Sequence, residues 1–325
     1  MELIKPYQQV FAQYLEHHTF PSDPAGLYRP AGYILSLGGK RLRPVFVLLG
    51  CHLYSEDYGK ALPAAWAMEV FHNFTLVHDD IMDHADLRRG MDTVHKKYGL
   101  NTAILSGDVM LIQAYDKLLE YRYDAFGMEI IRIFTTMARE VCEGQQWDMD
   151  FETTFDVSID DYLRMITLKT SVLLAACIRI GAVIGGADAD DQKHLYEFAK
   201  NYGVAFQLRD DVLDTFGKAH LVGKTIGGDI IRNKKTYLFL KALELASEAQ
   251  RQILQDLYAK DTADQTQKVQ TVKKIFEELH VCNYADMLIE AYRDLAISHL
   301  EACKVSENKK AQLRTLLDQL VFRNS

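Results

Sequence analysis

The sequence predicts an all-α protein, and three features carry that prediction. All six prolines lie at or before Pro63, so the rest of the 325-residue chain lacks the residue that breaks helix interiors. Apolar residues recur at spacings of three and four. In "ALPAAWAMEVFHNFTLVHDDIMD", Trp66, Val70, Phe71, Phe74 and Val77 share one helical face. No stretch of useful length alternates apolar and polar residues as a strand would, and no glycine-rich hairpin series appears.

The elements follow in order. "MELIKPYQQVFAQYLEHH" is amphipathic and mixed in charge, without the basic and apolar regions of a secretion signal. The aspartate-terminated helix just quoted comes next, and helical spacing then runs through 100–122, 126–147, 159–184, 190–216 and 236–258, with further helices to the end. "SLGGKRLRP", "FETTFDVS", "IGGADADD" and "GKAHLVGKTIGGDIIRNKK" are the expected breaks. None is long or biased enough to be a linker and no repeat stands out, so one domain over 1–325 is expected. "SVLLAACIRIGAVIGGA" (171–187) is the most apolar stretch, but it is short and contains Arg179. It reads as a buried core helix, and no membrane span is expected.

The net charge of −8 excludes a global basic field for nucleic acid, so anion binding must be local. Five scattered cysteines, an odd count without a CxxC pair, point to a reducing compartment and a cytoplasmic protein.

The chemistry begins at "DDIMD". On a helix, Asp79 and Asp83 are one turn apart and share a face, where two carboxylates repel unless a cation lies between them. Asp80 lies about 100° round and can assist. Hard oxygen donors in this number suit Mg²⁺, which shares substrate phosphate oxygens. A single acidic cluster reads equally well as a solvated helix end. "FQLRDDVLD", however, repeats the spacing at Asp210, Asp211 and Asp214. By composition one such motif arises by chance in about 7% of chains this long, and two in fewer than about 1%. Two helices each offering this motif would form a cage for Mg²⁺ bridged by a polyphosphate.

Basic groups accompany the acids. Lys40, Arg41 and Arg43 follow Gly38-Gly39; Arg88 and Arg89 follow the first cluster; Lys224 and Lys234 follow the second; Lys169-Thr170 lies on its own helix. Guanidinium groups hold phosphate in a fork and lysines supply point charge. Any one of them could be ordinary surface charge, but their coincidence with two carboxylate clusters suggests two anionic substrates, one held through metal and one without. "GKTIGGD" follows no strand and GxxxxGK[ST] is absent, so a P-loop reading fails. Such a site suits departure of a diphosphate leaving group.

The chain resembles the trans-isoprenyl diphosphate synthases, or polyprenyl synthetases. The motifs that carry the resemblance, in order, are "GGKRLRP", "DDIMDHADLRRG", "GDVML", "GQQWD", "KT", "FQLRDDVLD" and "GKTIGGDIIRNKKT". The resemblance implies a helical barrel around a deep cavity, a homodimer, about three Mg²⁺ per active site, and isopentenyl and allylic diphosphates as substrates. It makes Asp79, Asp83 and Asp210 the principal Mg²⁺ ligands, supported by Asp80, Asp211 and Asp214. It gives Arg88, Lys169 and Lys224 to the allylic diphosphate, and Lys40, Arg43, His72 and Arg89 to isopentenyl diphosphate. Thr170 and Gln207 would flank the developing carbocation, while Gln145 and Asp148 would line the metal cage. The family's Gly-Lys in the last loop is Asn233-Lys234 here, which leaves the closing role open between Lys234 and Lys235. Arg323 alone would serve as a basic tail. Asp86 has no implied role. The implied reaction is ionisation, condensation and elimination, with the released pyrophosphate taking the final proton.

Product length would be set by residues preceding the first cluster. Phe71 and Thr75 project within about 80° of the Asp79 face, and Phe74 points further round. Periodicity alone reads both phenylalanines as core packing. The resemblance makes a bulky residue at Phe74, with small Thr75 after it, a short-chain pattern. Geranylgeranyl diphosphate is the expected product, with farnesyl or longer diphosphates as alternatives. A class I terpene cyclase would leave Lys40, Arg43 and Arg89 without purpose. A metal phosphohydrolase using His52 and His78-Asp79 would leave the second motif unexplained, and a non-catalytic subunit of a heteromeric synthase would not need both motifs.

Overall fold

Helix follows helix along the chain. The structure, a computed structural model, describes residues 2–154, 156–217, 227–259 and 264–321. Lys224 and Arg323 lie outside the described residues. The first ten helices are α1 (Lys5–His17), α2 (Ala25–Ser36), α3 (Leu42–His52), α4 (Leu62–Met82), α5 (Val94–Tyr98), α6 (Leu100–Leu118), α7 (Gly127–Thr153), α8 (Ile159–Ile166), α9 (Val172–Gly185) and α10 (Ala189–Phe216). The later helices are Gly228–Ile231, Tyr237–Leu245, Glu248–Ala259, Gln265–Glu278, Val281–Ala302 and Glu307–Val321. Among the described residues the only strands are β1 (Leu87–Arg88) and β2 (Met91–Asp92), an antiparallel pair joined through Arg89 and Gly90. Both turn residues have positive φ, 55° and 77°, as a tight primed hairpin turn requires.

Two expectations are refined. The single helix expected over 236–258 is two helices. The backbone leaves helical geometry at Ala246, and Ser247 and Gln250 then exchange side-chain-to-backbone hydrogen bonds that open a new helix. The helix expected over 159–184 contains a π turn at Thr167–Ser171. Pro30, a nominal helix breaker, is carried inside α2.

Residues Met1–Thr136 with Ala176–Leu195 form one compact unit, and Met137–Ala175 with Tyr196–Ser325 form another. In the first, α4 lies along α6, and Leu48, Met68, Phe71, Met110, Leu118 and Phe134 are wholly buried. In the second, Phe198, Tyr202, Leu238, Leu254, Phe276 and Ile289 form the core. Each such large side chain contributes about 1.5–3 kcal/mol on burial. The run Ile159–Gly185 is long and apolar enough to cross a membrane, yet its apolar window is 72% buried within the protein.

Candidate active site

In the first unit, α4 ends on its aspartates. Asp83 is the C-cap residue, and its N–H donates to the Asp79 carbonyl at 2.8 Å, so the two side chains stand one turn apart. Asp80 is buried and is gripped by the hairpin. Arg88 Nε donates to its Oδ2 and Nη2 to its Oδ1, both at 2.7 Å. Arg89, at the turn, donates to the Gly38 carbonyl. Asp86 pairs with Lys96 at 2.6 Å on the surface, a hydrogen bond that lowers its pKa, and so has a local partner. His72 lies about two to three turns before the aspartates. Burial first, then the guanidinium groups of Arg43, Arg89, Arg88 and Arg41, hold its imidazole well below the ordinary pKa and keep it neutral. Arg43, Arg88 and Arg89 were expected to be diphosphate ligands and Arg41 is their neighbour in sequence; all four act electrostatically on His72.

The expected chain-length residues sit in an aromatic cluster of the same unit. Phe71 is wholly buried, 5.5 Å from Phe74 and 5.2 Å from Phe134 between ring centroids, and Phe134 is 4.7 Å from Tyr115. Phe74 also meets His78 at 4.9 Å. Thr75 turns its hydroxyl onto the His72 carbonyl at 2.8 Å. His78 contacts the Ile104 carbonyl at 3.2 Å, and His52 bonds Tyr7 at 2.7 Å and Glu56 at 3.1 Å, arrangements that satisfy them without a phosphohydrolase centre.

In the second unit the π turn carries Lys169 and Thr170. Two glycines admit it. A Cβ at Gly144 of α7 would lie 2.3 Å from the Lys169 nitrogen, and one at Gly203 of α10 would lie 2.8 Å from Ser171. This close approach sets Lys169 Nζ 2.6 Å from Asp148 of α7. Lys234 reaches the same carboxylate at 4.0 Å. Burial acts to raise the Asp148 pKa, but Lys169 and Lys234 overcome it and hold the carboxyl below its ordinary range. Lys235 turns away and donates to the Phe151 and Glu152 carbonyls at the end of α7. Lys234 thus lies towards the acid, and Lys235 lies on the carbonyls at a helix end.

A chain of hydrogen bonds continues along α10. The Thr170 hydroxyl donates to Gln207 Oε1 at 3.3 Å, Gln207 Nε2 donates to Asp211 at 3.0 Å, and the buried Tyr162 hydroxyl donates to the other Asp211 oxygen. Burial, then the carboxylates of Asp229 and Asp210, push the Asp211 pKa up. Asp214 Oδ2 accepts the Asp229 N–H at 2.9 Å, which fixes the start of the Gly228–Ile231 turn. Sequence reasoning did not assign Tyr162 or Asp229. Tyr162 precedes Lys169 by two turns and Asp229 stands in the quoted "GGD", so position offered a signal for both.

Among the described residues no three His, Cys, Asp or Glu side chains already converge as a metal site. The candidate donors are carboxylate oxygens, hard ligands of the kind Mg²⁺ takes in ones and twos while it completes its shell with water and phosphate oxygens. The crowding of Asp211 by Asp229 and Asp210 is an acid excess of the kind a divalent cation relieves.

The polyprenyl synthetase family model matches residues 24–279. A geranylgeranyl pyrophosphate synthase of Geoglobus acetivorans is 38% identical over 99% of both chains. A geranylfarnesyl diphosphate synthase of Aeropyrum pernix is 35% identical over 90% of this chain and 92% of its own. A crystal structure of a geranylgeranyl pyrophosphate synthase superposes with a TM-score of 0.94 at 45% identity, covering 99% of each chain.

Proposed function

The chain belongs to the polyprenyl synthetase family and is a prenyltransferase, and from that premise we propose that it extends an allylic diphosphate with isopentenyl diphosphate to geranylgeranyl diphosphate. One observation carries the two-substrate reading: two separate cationic groups are each built around a different element. One joins Arg89 to the Gly38 carbonyl, beside the segment that carries Lys40 and Arg43. The other is the pair Lys169 and Lys234 on Asp148.

In this reading Lys40, Arg43, His72 and Arg89 hold isopentenyl diphosphate, and Arg88, Lys169, Lys224 and Lys234 hold the allylic diphosphate. Neutral His72 can give a hydrogen bond without adding charge to an already cationic group. Asp79, Asp83 and Asp210 are the main Mg²⁺ ligands, with Asp80, Asp211 and Asp214 orienting them, and about three ions bind. Bound Mg²⁺ would supply charge neutralisation for the departing diphosphate. The allylic C–O bond breaks with its electron pair on the diphosphate. The isopentenyl double bond attacks the carbocation, and a proton passes to the released pyrophosphate as the new double bond forms. Thr170 and Gln207 present oxygen dipoles beside that cation, and Asp211 fixes the Gln207 amide.

Bulky Phe74 and Phe71 support a C20 product. Exposed Leu105, Ile112, Leu119 and Met128 form apolar surface on α6 and beside it, which supports a homodimer measurable by light scattering. Five free cysteines support a cytoplasmic setting. The test incubates the protein with Mg²⁺, isopentenyl diphosphate and each allylic diphosphate in turn. Pyrophosphate release that requires isopentenyl diphosphate and yields a C20 product is expected. Release from the allylic substrate alone would overturn the reading.

A further inference from the structure

Arg41 stands between Lys40 and Arg43 and begins α3 from a left-handed backbone conformation, φ 51° and ψ 40°. A residue with a Cβ is disfavoured there and stays only when its surroundings over-determine it. Its guanidinium supplies the constraint, donating to the Glu69 carboxylate and to the Leu35 carbonyl. Glu69 lies on α4, three residues before His72, and is 2% exposed. The carboxylate oxygen that takes Arg41 also accepts Asn73 Nδ2 at 3.0 Å, and the same amide donates to the Glu69 carbonyl at 2.8 Å. A buried carboxylate is unfavourable unless paired, so α4 requires Arg41 as much as Arg41 requires Glu69.

The rest of the segment is held from other sides. Gln8 Nε2 donates to the Lys40 carbonyl at 2.7 Å, and Arg89 donates to the Gly38 carbonyl. Glu69 is also the acid that acts on Arg89 against Arg41, Arg88 and Arg43. It therefore offsets repulsion within a group of cations that must coexist before an anion arrives.

We propose that Glu69 is a positioning residue for the isopentenyl diphosphate segment. It holds Arg41, is itself held by Asn73, and thereby locks residues 38–43 so that α3 starts directly after Arg41 with Arg43 in its first turn. This rests on the reading that Lys40, Arg43, His72 and Arg89 bind isopentenyl diphosphate.

The test is steady-state kinetics on the full chain with Glu69→Gln, Arg41→Gln and the double variant. Glu69→Gln keeps size and an acceptor for Arg41 and Asn73 while removing the charge. The KM for isopentenyl diphosphate should rise about tenfold, the loss expected for one charged hydrogen bond. The KM for the allylic substrate should stay within about twofold, and the double variant should be no worse than the singles, as for residues acting as one unit. An unchanged isopentenyl KM in folded Glu69→Gln, equal rises in both KM values, or additive losses in the double variant would each overturn the proposal. If Glu69→Gln does not fold, Arg41→Gln carries the same KM comparison. A wild-type protein without isopentenyl-dependent turnover would instead refute the functional reading itself, a result distinct from any of these.

Discussion

Arg88 folds back from the hairpin onto Asp80 through two parallel hydrogen bonds of 2.7 Å. The side chain of Asp80 is 2% exposed and that of Arg88 25%, so the carboxylate has left water and the guanidinium only partly has. Removing one partner of such a pair strands a buried charge. Arg88→Leu should destabilise the protein by about 3 kcal/mol, and Arg88→Lys, which keeps charge but loses the fork, by about 1 kcal/mol. Urea denaturation of the two variants checks the ordering, and equal stabilities would refute it.

Lys234 and Lys235 should separate by what they affect. Lys235 caps α7 carbonyls, so Lys235→Ala should lower stability by about 1 kcal/mol and leave allylic KM and kcat within about twofold. Lys234 faces Asp148, so Lys234→Ala should lower kcat by about tenfold, the effect of one cation at a departing diphosphate, with little change in melting temperature. Identical profiles for the two variants would contradict the assignment.

Truncating Phe74 should lengthen the product. Phe74 keeps 8% exposure and contacts Phe71 and His78, whereas Phe71 is fully enclosed by Phe74 and Phe134. Phe74→Ala should therefore shift product beyond C20 with modest loss of stability. Phe71→Ala should remove about 3–5 kcal/mol of stability as well. Chromatography of the dephosphorylated products decides it, and unchanged chain length in both variants would remove these residues from the ruler.

His72 should make the substrate-free protein sensitive to acid. Its folded pKa lies below its ordinary value of 6.5, so between those two values the unfolded chain binds the extra proton. Stability from this residue is complete above about pH 6.5 and declines as pH falls towards the folded pKa. His72→Asn should flatten the dependence of unfolding free energy on pH below 6.5, which denaturation at pH 5 and pH 7.5 measures. A slope as steep as wild type would show that His72 does not contribute.

The long helices were legible because each buries one face over many turns, and the period of three and four records that face. α4 and α10 are the clearest cases, and their aspartates were found for the same reason. The Leu87–Arg88 and Met91–Asp92 pair was not legible, since two residues per strand leave no alternation; only Arg89-Gly90 at the turn hints at it. Nor was the boundary between Leu245 and Glu248, because apolar spacing persists while the break is made by one serine and one glutamine. Individual acids and bases were found by type, but their partners were not. That Asp80 belongs to Arg88, or Asp214 to the Asp229 N–H, depends on where the chain returns in space.

The π turn at Thr167–Ser171 also governs how this region tolerates insertion and deletion. A π turn holds one residue more than an α turn, and each residue advances a helix by about 100°. Losing one residue here would restore an uninterrupted α-helix and keep the apolar side chains of α9 close to the face they now bury, but it would shift Lys169 relative to Asp148. The turn can therefore take up a loss of one residue within the fold, and what that loss gives up is the placement of the lysine against its acid.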